Sequence, residues 1–130
     1  MGVKFAVAMG AEVTIFSASP SKEQDAKRLG AHHFVLSTNK DAMRTVAGSF
    51  DLILDTVAAK HEIMPFLFAL APHGVFAVVG APPDPMVFNA FGLIGGNRSI
   101  YGEYFFYCNS AVRFFCRRNE GNTRDDRFLR

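Results

Sequence analysis

Ser17, Ser19 and Lys22 place two hydroxyls and an ammonium in one short stretch of this sequence. Hydroxyls donate and accept hydrogen bonds and an ammonium only donates, so the set suits a phosphate monoester and contains nothing that repels one. A second reading needs no ligand: Ser19 and Pro20 are helix-start residues, and Lys22 is a solvent-facing cation. Asp55-Thr-Val-Ala58 and Gly80-Ala-Pro82 each follow an apolar run. Exposed amides there could hold a carboxamide, and Gly80 would let a flat ring approach; equally, both are the exits every strand requires. The four histidines do not form a metal site. His32 and His33 are adjacent, so on a strand their side chains point apart, while His61 and His73 stand in helix-start and turn contexts. Cys108 and Cys116 supply two thiols, too few for a tetrahedral site, and no Gly-x-Ser-x-Gly nucleophile turn is present.

These residues are spaced by a strand–helix rhythm. The first ten residues read as an amphipathic helix and Val13–Phe16 as a strand. Ser19 can cap the next helix, Pro20 fits its first position and Gly30 fits just past its end. His33–Leu36 is a strand and Asn39–Ala47 a short helix closed by Gly48. Asp51–Asp55 and Val75–Val79 are continuous apolar runs, the pattern of parallel strands buried on both faces. Between them His61–Leu70 reads as helix, with Pro65 tolerable only in its first turn, and Pro72-His-Gly74 as a turn. Arg98–Gly102 reads as a last strand, and Ser110–Arg118 as a weaker helix. Strands about 20 residues apart are what a βαβ crossover needs, so the expected class is α/β with a mostly parallel sheet.

Composition sets the outer bounds. With 130 residues, 49% hydrophobic and 20% charged, the chain fits one ordinary globular domain. Its apolar runs are broken well short of a membrane span, nothing reads as a signal peptide, and two cysteines suit a reducing, cytoplasmic setting. Residues 1–102 carry eight Lys or Arg and eight Asp or Glu, whereas residues 103–130 carry six arginines, no lysine and four acids. The whole net charge of +2 therefore lies after Gly102. Arginines could neutralise nucleic-acid phosphates, but Glu120, Asp125 and Asp126 dilute that field. The expectation is a solvated segment with no nucleic-acid or membrane partner.

Position in the fold decides how Ser17 is read. In dinucleotide-binding folds an acid at the end of this early strand bonds the adenosine ribose hydroxyls and selects NAD. Ser17 stands there instead, and its set of donors suits a 2′-phosphate, hence NADP. An S-adenosylmethionine-dependent methyltransferase shares the α/β pattern but also places an acid at this point.

Met-Gly-Val-Lys-Phe-Ala, Gly10-Ala-Glu-Val-Thr, Ser17-x-Ser-Pro-Ser-Lys22, Gly30-Ala-His-His-Phe and Phe50-Asp-Leu-Ile-Leu-Asp-Thr56 occur in order. Val79-Gly-Ala-Pro-Pro83 and Arg98-Ser-Ile100 extend the series. Through residue 102 the sequence resembles the zinc-dependent medium-chain alcohol dehydrogenases, above all the NADP-dependent, cinnamyl-alcohol-dehydrogenase-like branch. The resemblance implies a Rossmann domain and reversible oxidation of small-molecule alcohols to aldehydes, with NADP taking hydride and zinc polarising the substrate. It implies that Ser17, Ser19 and Lys22 hold the 2′-phosphate and that Thr56 and Val57 line the adenosine side. Gly80, Ala81, Ser99 and Ile100 would face the nicotinamide end through backbone groups, and a homodimer would join edge strands near Arg98–Gly102.

The family's first strand, its glycine-rich phosphate loop and its zinc ligands would all precede Met1. Residues 1–102 are thus expected to form an incomplete, doubly wound Rossmann-like sheet lacking its first strand. Residues 103–130 are expected to be a diverged, arginine-rich segment, helical and then disordered. Two functional readings follow: a fragment of an NADP-dependent alcohol dehydrogenase without turnover of its own, or a non-catalytic nucleotide-binding or interaction module. The missing strand is central in the usual order 3-2-1-4-5-6. A gap there leaves buried donors and acceptors unpaired at roughly 1–3 kcal/mol each, so the sheet should be unstable or rearranged unless partner chains fill it.

Overall fold

The computed structural model describes residues 2–102 and, as backbone only, residues 113–117. Helix α1 (Gly2–Ala8) buries Val3, and Gly10, at φ +78°, turns the chain into β1 (Glu12–Ser17). Every residue of Val13–Phe16 is buried, the mark of an interior strand. Ser19 stands extended before a 3-10 turn (Pro20–Lys22), and α2 (Glu23–Arg28) follows it. The Ser19 hydroxyl does not cap that turn, as the sequence suggested it could; its Oγ lies 2.8 Å from Ser21 Oγ instead. Gly30 ends the segment at φ +96°, a conformation that favours glycine.

Strand β2 (His33–Leu36) leads to α3 (Lys40–Thr45), whose cap is Asn39: its Oδ1 accepts from the Asp41 and Ala42 amides. Strand β3 (Phe50–Asp55) follows, then α4 (Met64–Ala69) with Pro65 in its first turn. Helix α4 is shorter than the pattern of residues 61–70 suggested, because Leu70 already belongs to β4 (Leu70–Val78). The expected turn at Pro72-His-Gly74 lies inside that strand as an irregularity. Phe50 pairs with Leu70 while Leu52 pairs with Val75, and His73 takes φ +63°. A one-turn helix α5 (Phe91–Ile94) and strand β5 (Ser99–Gly102) come next.

The largest departure is β6 (Arg113–Arg117), a strand where the sequence suggested helix over 110–118. The sheet order is β2-β1-β6-β3-β4-β5. Five strands are mutually parallel across the pairs β1–β2, β3–β4 and β4–β5, while β6 runs antiparallel to both neighbours. It fills the slot that strand 1 holds in the order 3-2-1-4-5-6. The predicted gap is therefore closed by the chain itself. Geometry explains the direction. Gly102 ends β5 opposite Val78, at the carboxyl edge, and Arg113 starts β6 opposite Phe16, at the same edge. A parallel strand would need a crossover of a dozen or more residues to regain the far edge; an antiparallel one does not. Open β1 and β3 ladders on both sides outweigh a weak helical pattern, because each unpaired buried amide costs more than a propensity difference.

Helices flank the sheet on both faces. Val13 and Ile15 pack with Val3 of α1 and Ala26 of α2, whereas Phe16 points to the opposite face with Met43 of α3 and Phe66 of α4. Phe16 meets Phe50 and Phe66 edge-on, with centroids 5.5 and 5.8 Å apart. This is the α/β, Rossmann-like doubly wound architecture, with its third slot, that of strand 1, taken by a strand of reversed direction. The remaining residues of 103–130, Cys108 among them, lie outside the described residues, as do the side chains of β6.

Candidate functional site

Parallel strands deliver their carboxyl ends to one edge, where open α/β sheets bind ligands. Here β1 ends at Ser17, β2 at Leu36 and β3 at Asp55. Their exit loops enclose a cleft of about 380 Å³ that includes Ser17, Ser19, Lys22, Ser37, Val57 and His61. Four of the nine sequence-nominated residues thus meet at one place. Ser17 Oγ accepts from the Ser19 amide at 3.1 Å, which folds the loop and leaves the Ser17 hydroxyl hydrogen as a donor. Among the described residues Lys22 has no ion-pair partner, so its ammonium at the rim is uncommitted. Chemically the cleft presents hydroxyl donors and a cation beside Val57 and the Phe16–Phe66 wall. In chemistry that combination suits a phosphate next to an apolar ring.

The other five nominated residues are placed differently. Thr56 is buried beneath the loop, and its neighbour Val57 takes the cleft-facing position. Gly80 and Ala81 stand at the carboxyl end of β4, tied to β3 by the Val79 and Gly80 amides, which donate to the Asp55 carbonyl at 2.8 and 2.9 Å. A Cβ at Gly80 would lie 2.5 Å from the Val57 carbonyl oxygen, so this glycine answers first to a crossing of two loops. Ser99 and Ile100 stand in β5, the last strand expected from the sequence. They pair with Val75 and Phe76, three and two registers before the end of β4, and so begin β5; the carboxyl end belongs to Gly102. They are not brought together with Gly80.

His61 was passed over as a helix-start residue, yet both of its ring nitrogens are held in the cleft. Its Nε2 lies 2.7 Å from Asp55 Oδ2, and its Nδ1 lies 2.7 Å from the Ala59 carbonyl oxygen. Asp55 is 1% exposed, and its Oδ1 accepts from the Val57 amide at 3.2 Å. The sequence signal was the acid closing β3 with a histidine six residues on, across a loop that must double back. His32 and His33 do point apart: His32 Nδ1 accepts from the Val13 amide at 3.0 Å, and His33 Nε2 faces Glu12 Oε1 at 2.7 Å. Among the described residues no three His, Cys, Asp or Glu side chains come together where they could hold a metal ion. The zinc implied by the resemblance thus has no ligand set in this part of the chain, and no step of these residues runs through it. No helix among the described residues is long and apolar enough to cross a membrane.

Known proteins are similar to this chain in sequence and fold. The model of the zinc-binding dehydrogenase family matches residues 1–115. Alcohol dehydrogenase 9 of Catharanthus roseus is 46% identical over 104 residues, 79% of this chain and 29% of that protein. The sheet and helices superpose on a cinnamyl alcohol dehydrogenase from Sorghum bicolor with TM-score 0.76 and 43% identity, over 78% of this chain and 29% of that one. A second such enzyme, from Helicobacter pylori and solved in complex with NADP(H), gives TM-score 0.67 and 36% identity, again over 78% and 29%. This chain therefore spans about 29% of the length of the curated relatives it matches. It belongs to the zinc-binding dehydrogenase family and descends from the alcohol dehydrogenases.

Proposed function

We propose that this chain binds the 2′-phosphorylated adenosine end of NADP(H) and does not, by itself, interconvert alcohols and aldehydes. The observation that carries the reading is the convergence of Ser17, Ser19, Lys22 and Val57 on one cleft at the carboxyl edge. Ser17 and Ser19 would donate hydroxyl hydrogens to the 2′-phosphate, Lys22 would neutralise it, and Val57 would pack against the base. The similarity to an enzyme solved with NADP(H) supports the same cofactor. When bound, NADP(H) supplies or accepts hydride; the residues described here bind and orient its far end.

Occupation of the central slot by β6 argues for recognition of that end alone. In doubly wound folds a glycine-rich turn after the strand in this slot brings a helix N-terminus to the pyrophosphate. Here the strand in the slot runs the other way, so it begins at the carboxyl edge, with Arg113 opposite Phe16, and supplies no strand end there to turn into α1. The edge strand β5 offers the surface for the implied homodimer, and small alcohols or aldehydes remain the substrate class of the whole enzymes it resembles.

Calorimetric titration with 2′-phospho-ADP-ribose, against ADP-ribose as the control, tests the proposal. Preference for the phosphorylated ligand by roughly tenfold or more is expected from charge-assisted hydrogen bonds. No heat at millimolar 2′-phospho-ADP-ribose would overturn it, and zinc-stimulated reduction of an aromatic aldehyde with NADPH by the purified chain would overturn the limit to binding.

A further inference from the structure

The contacts of His61 fix how many protons it must share. A backbone carbonyl only accepts, so His61 Nδ1 carries a hydrogen and donates to Ala59. Across the 2.7 Å contact to Asp55 Oδ2 a second hydrogen is needed: either Nε2–H donates to a carboxylate, or a protonated carboxyl donates to Nε2. Either way the two residues together hold one proton more than a neutral imidazole beside a carboxylate. With it their combined charge is zero. Without it a net negative charge stays in a cleft built for phosphate, and an acceptor faces an acceptor at 2.7 Å in a place where Asp55 is 1% exposed. The loop must then give way, since either the Asp55 contact or the Ala59 contact is lost.

That loop is the one that lines the cleft. Asp55 closes β3, His61 leads toward α4, and between them Val57 faces the cleft while its amide is held by Asp55 Oδ1. Two other charged groups line the cleft with His61: Lys22 from the 3-10 turn and Glu62 beside His61.

We propose that Asp55 and His61 share a retained proton that clamps residues 56–61 against the cleft, so that His61 positions Val57 for the nucleotide. This rests on the nucleotide reading above. Its consequence is that affinity for 2′-phosphorylated adenosine falls as pH rises through the loss of that proton. The sign separates it from the ligand's own chemistry, because a phosphate monoester gains charge as pH rises, with a second ionisation near ~6, and would bind a cationic rim more tightly.

The test uses the intact chain. Imidazole ¹⁵N shifts of His61 locate the interval in which the pair loses its proton, and 2′-phospho-ADP-ribose is titrated on either side of it. Affinity should fall about tenfold across that interval, the scale of one hydrogen bond left unmade. His61→Gln, which cannot donate at both positions and does not titrate, should abolish the pH dependence. Affinity that passes unchanged through the titration, or a fall that survives in His61→Gln, would overturn the proposal. A ligand-free arm judges the clamp separately: hydrogen-exchange protection of the Val57 amide should drop about tenfold across the same interval in the unsubstituted chain. Unchanged protection overturns the clamp even if the ligand never binds; absence of binding with the expected drop overturns only the nucleotide reading.

Discussion

The Val57 carbonyl oxygen occupies the space that a Gly80 side chain would need, 2.5 Å from where its Cβ would lie. Two loops leaving adjacent strands cross here backbone to backbone, and the Gly80 amide is bound to the Asp55 carbonyl as well. Asp55 also holds Val57, its Oδ1 accepting from the Val57 amide at 3.2 Å. Gly80→Ala should therefore cost about 1–3 kcal/mol of stability, since backbone and not a flexible side chain must move. Gly102→Ala, where no described atom lies within 4 Å, should stay within roughly 0.5 kcal/mol of the parent. Urea denaturation of the two variants checks this, and equal midpoints would contradict the crossing.

Backbone pairing gives β6 a sharper test. Residue 115 stands opposite Thr14 of β1 and Ile53 of β3, so its amide hydrogen faces a neighbouring strand whichever side it takes. Phe115→Pro removes that hydrogen from the middle of a six-stranded sheet. Loss of roughly 1–3 kcal/mol is expected, together with faster hydrogen exchange at Val13–Ile15 and at Ile53. If those amides exchange slowly in the parent and equally slowly in the variant, something other than residues 113–117 fills the slot.

The two halves of this result were not equally legible in the sequence. Strands β1, β2 and β3 announced themselves through local chemistry: apolar runs such as Ile53 with its neighbours, and Gly30 and Gly48, whose positive φ ends the segments before them. Ser17, Ser19 and Lys22, which line one cleft, could be nominated together because a strand-end position and a donor inventory are both local facts. What failed was long-range. Arg113–Arg117 reads as weak helix in isolation, and only the open ladders of β1 and β3, about 100 and 60 residues earlier, make it a strand. The pattern located the strand over Ser99 and Ile100 without fixing its register against β4. His61 was missed because the Ala59 contact exists only once the loop has folded back.

Charge at the rim can be separated from charge in the clamp. Lys22→Met removes an exposed ammonium that touches no acid among the described residues, so stability should change little. Binding of 2′-phospho-ADP-ribose should weaken roughly tenfold while ADP-ribose is unaffected, because only the 2′-phosphate meets the ammonium. The loss should shrink in high salt, as it does for an exposed charge. A parallel loss for both ligands would place Lys22 elsewhere than at the 2′ position.

Arg98 looks at first like a ligand-binding cation, and the structure gives it another task. Its Nε donates to the Leu70 carbonyl at 2.9 Å and its Nη1 to the Gly92 carbonyl at 3.0 Å, so one guanidinium ties the start of β4 to α5. Gly96 leaves room for it: a Cβ there would meet Arg98 Cζ at 2.6 Å. A lysine ammonium is a point donor and cannot span two carbonyls as a planar fork does. Arg98→Lys should thus recover only part of what Arg98→Met loses, which is about 2–3 kcal/mol for two half-buried charge-assisted hydrogen bonds. The loss would appear as a lower urea midpoint with an unchanged slope. Affinity for 2′-phospho-ADP-ribose in the folded fraction should be untouched, because Arg98 lies on the far side of β3 from Lys22. A change in affinity without a change in midpoint would reverse the assignment and make Arg98 a ligand contact.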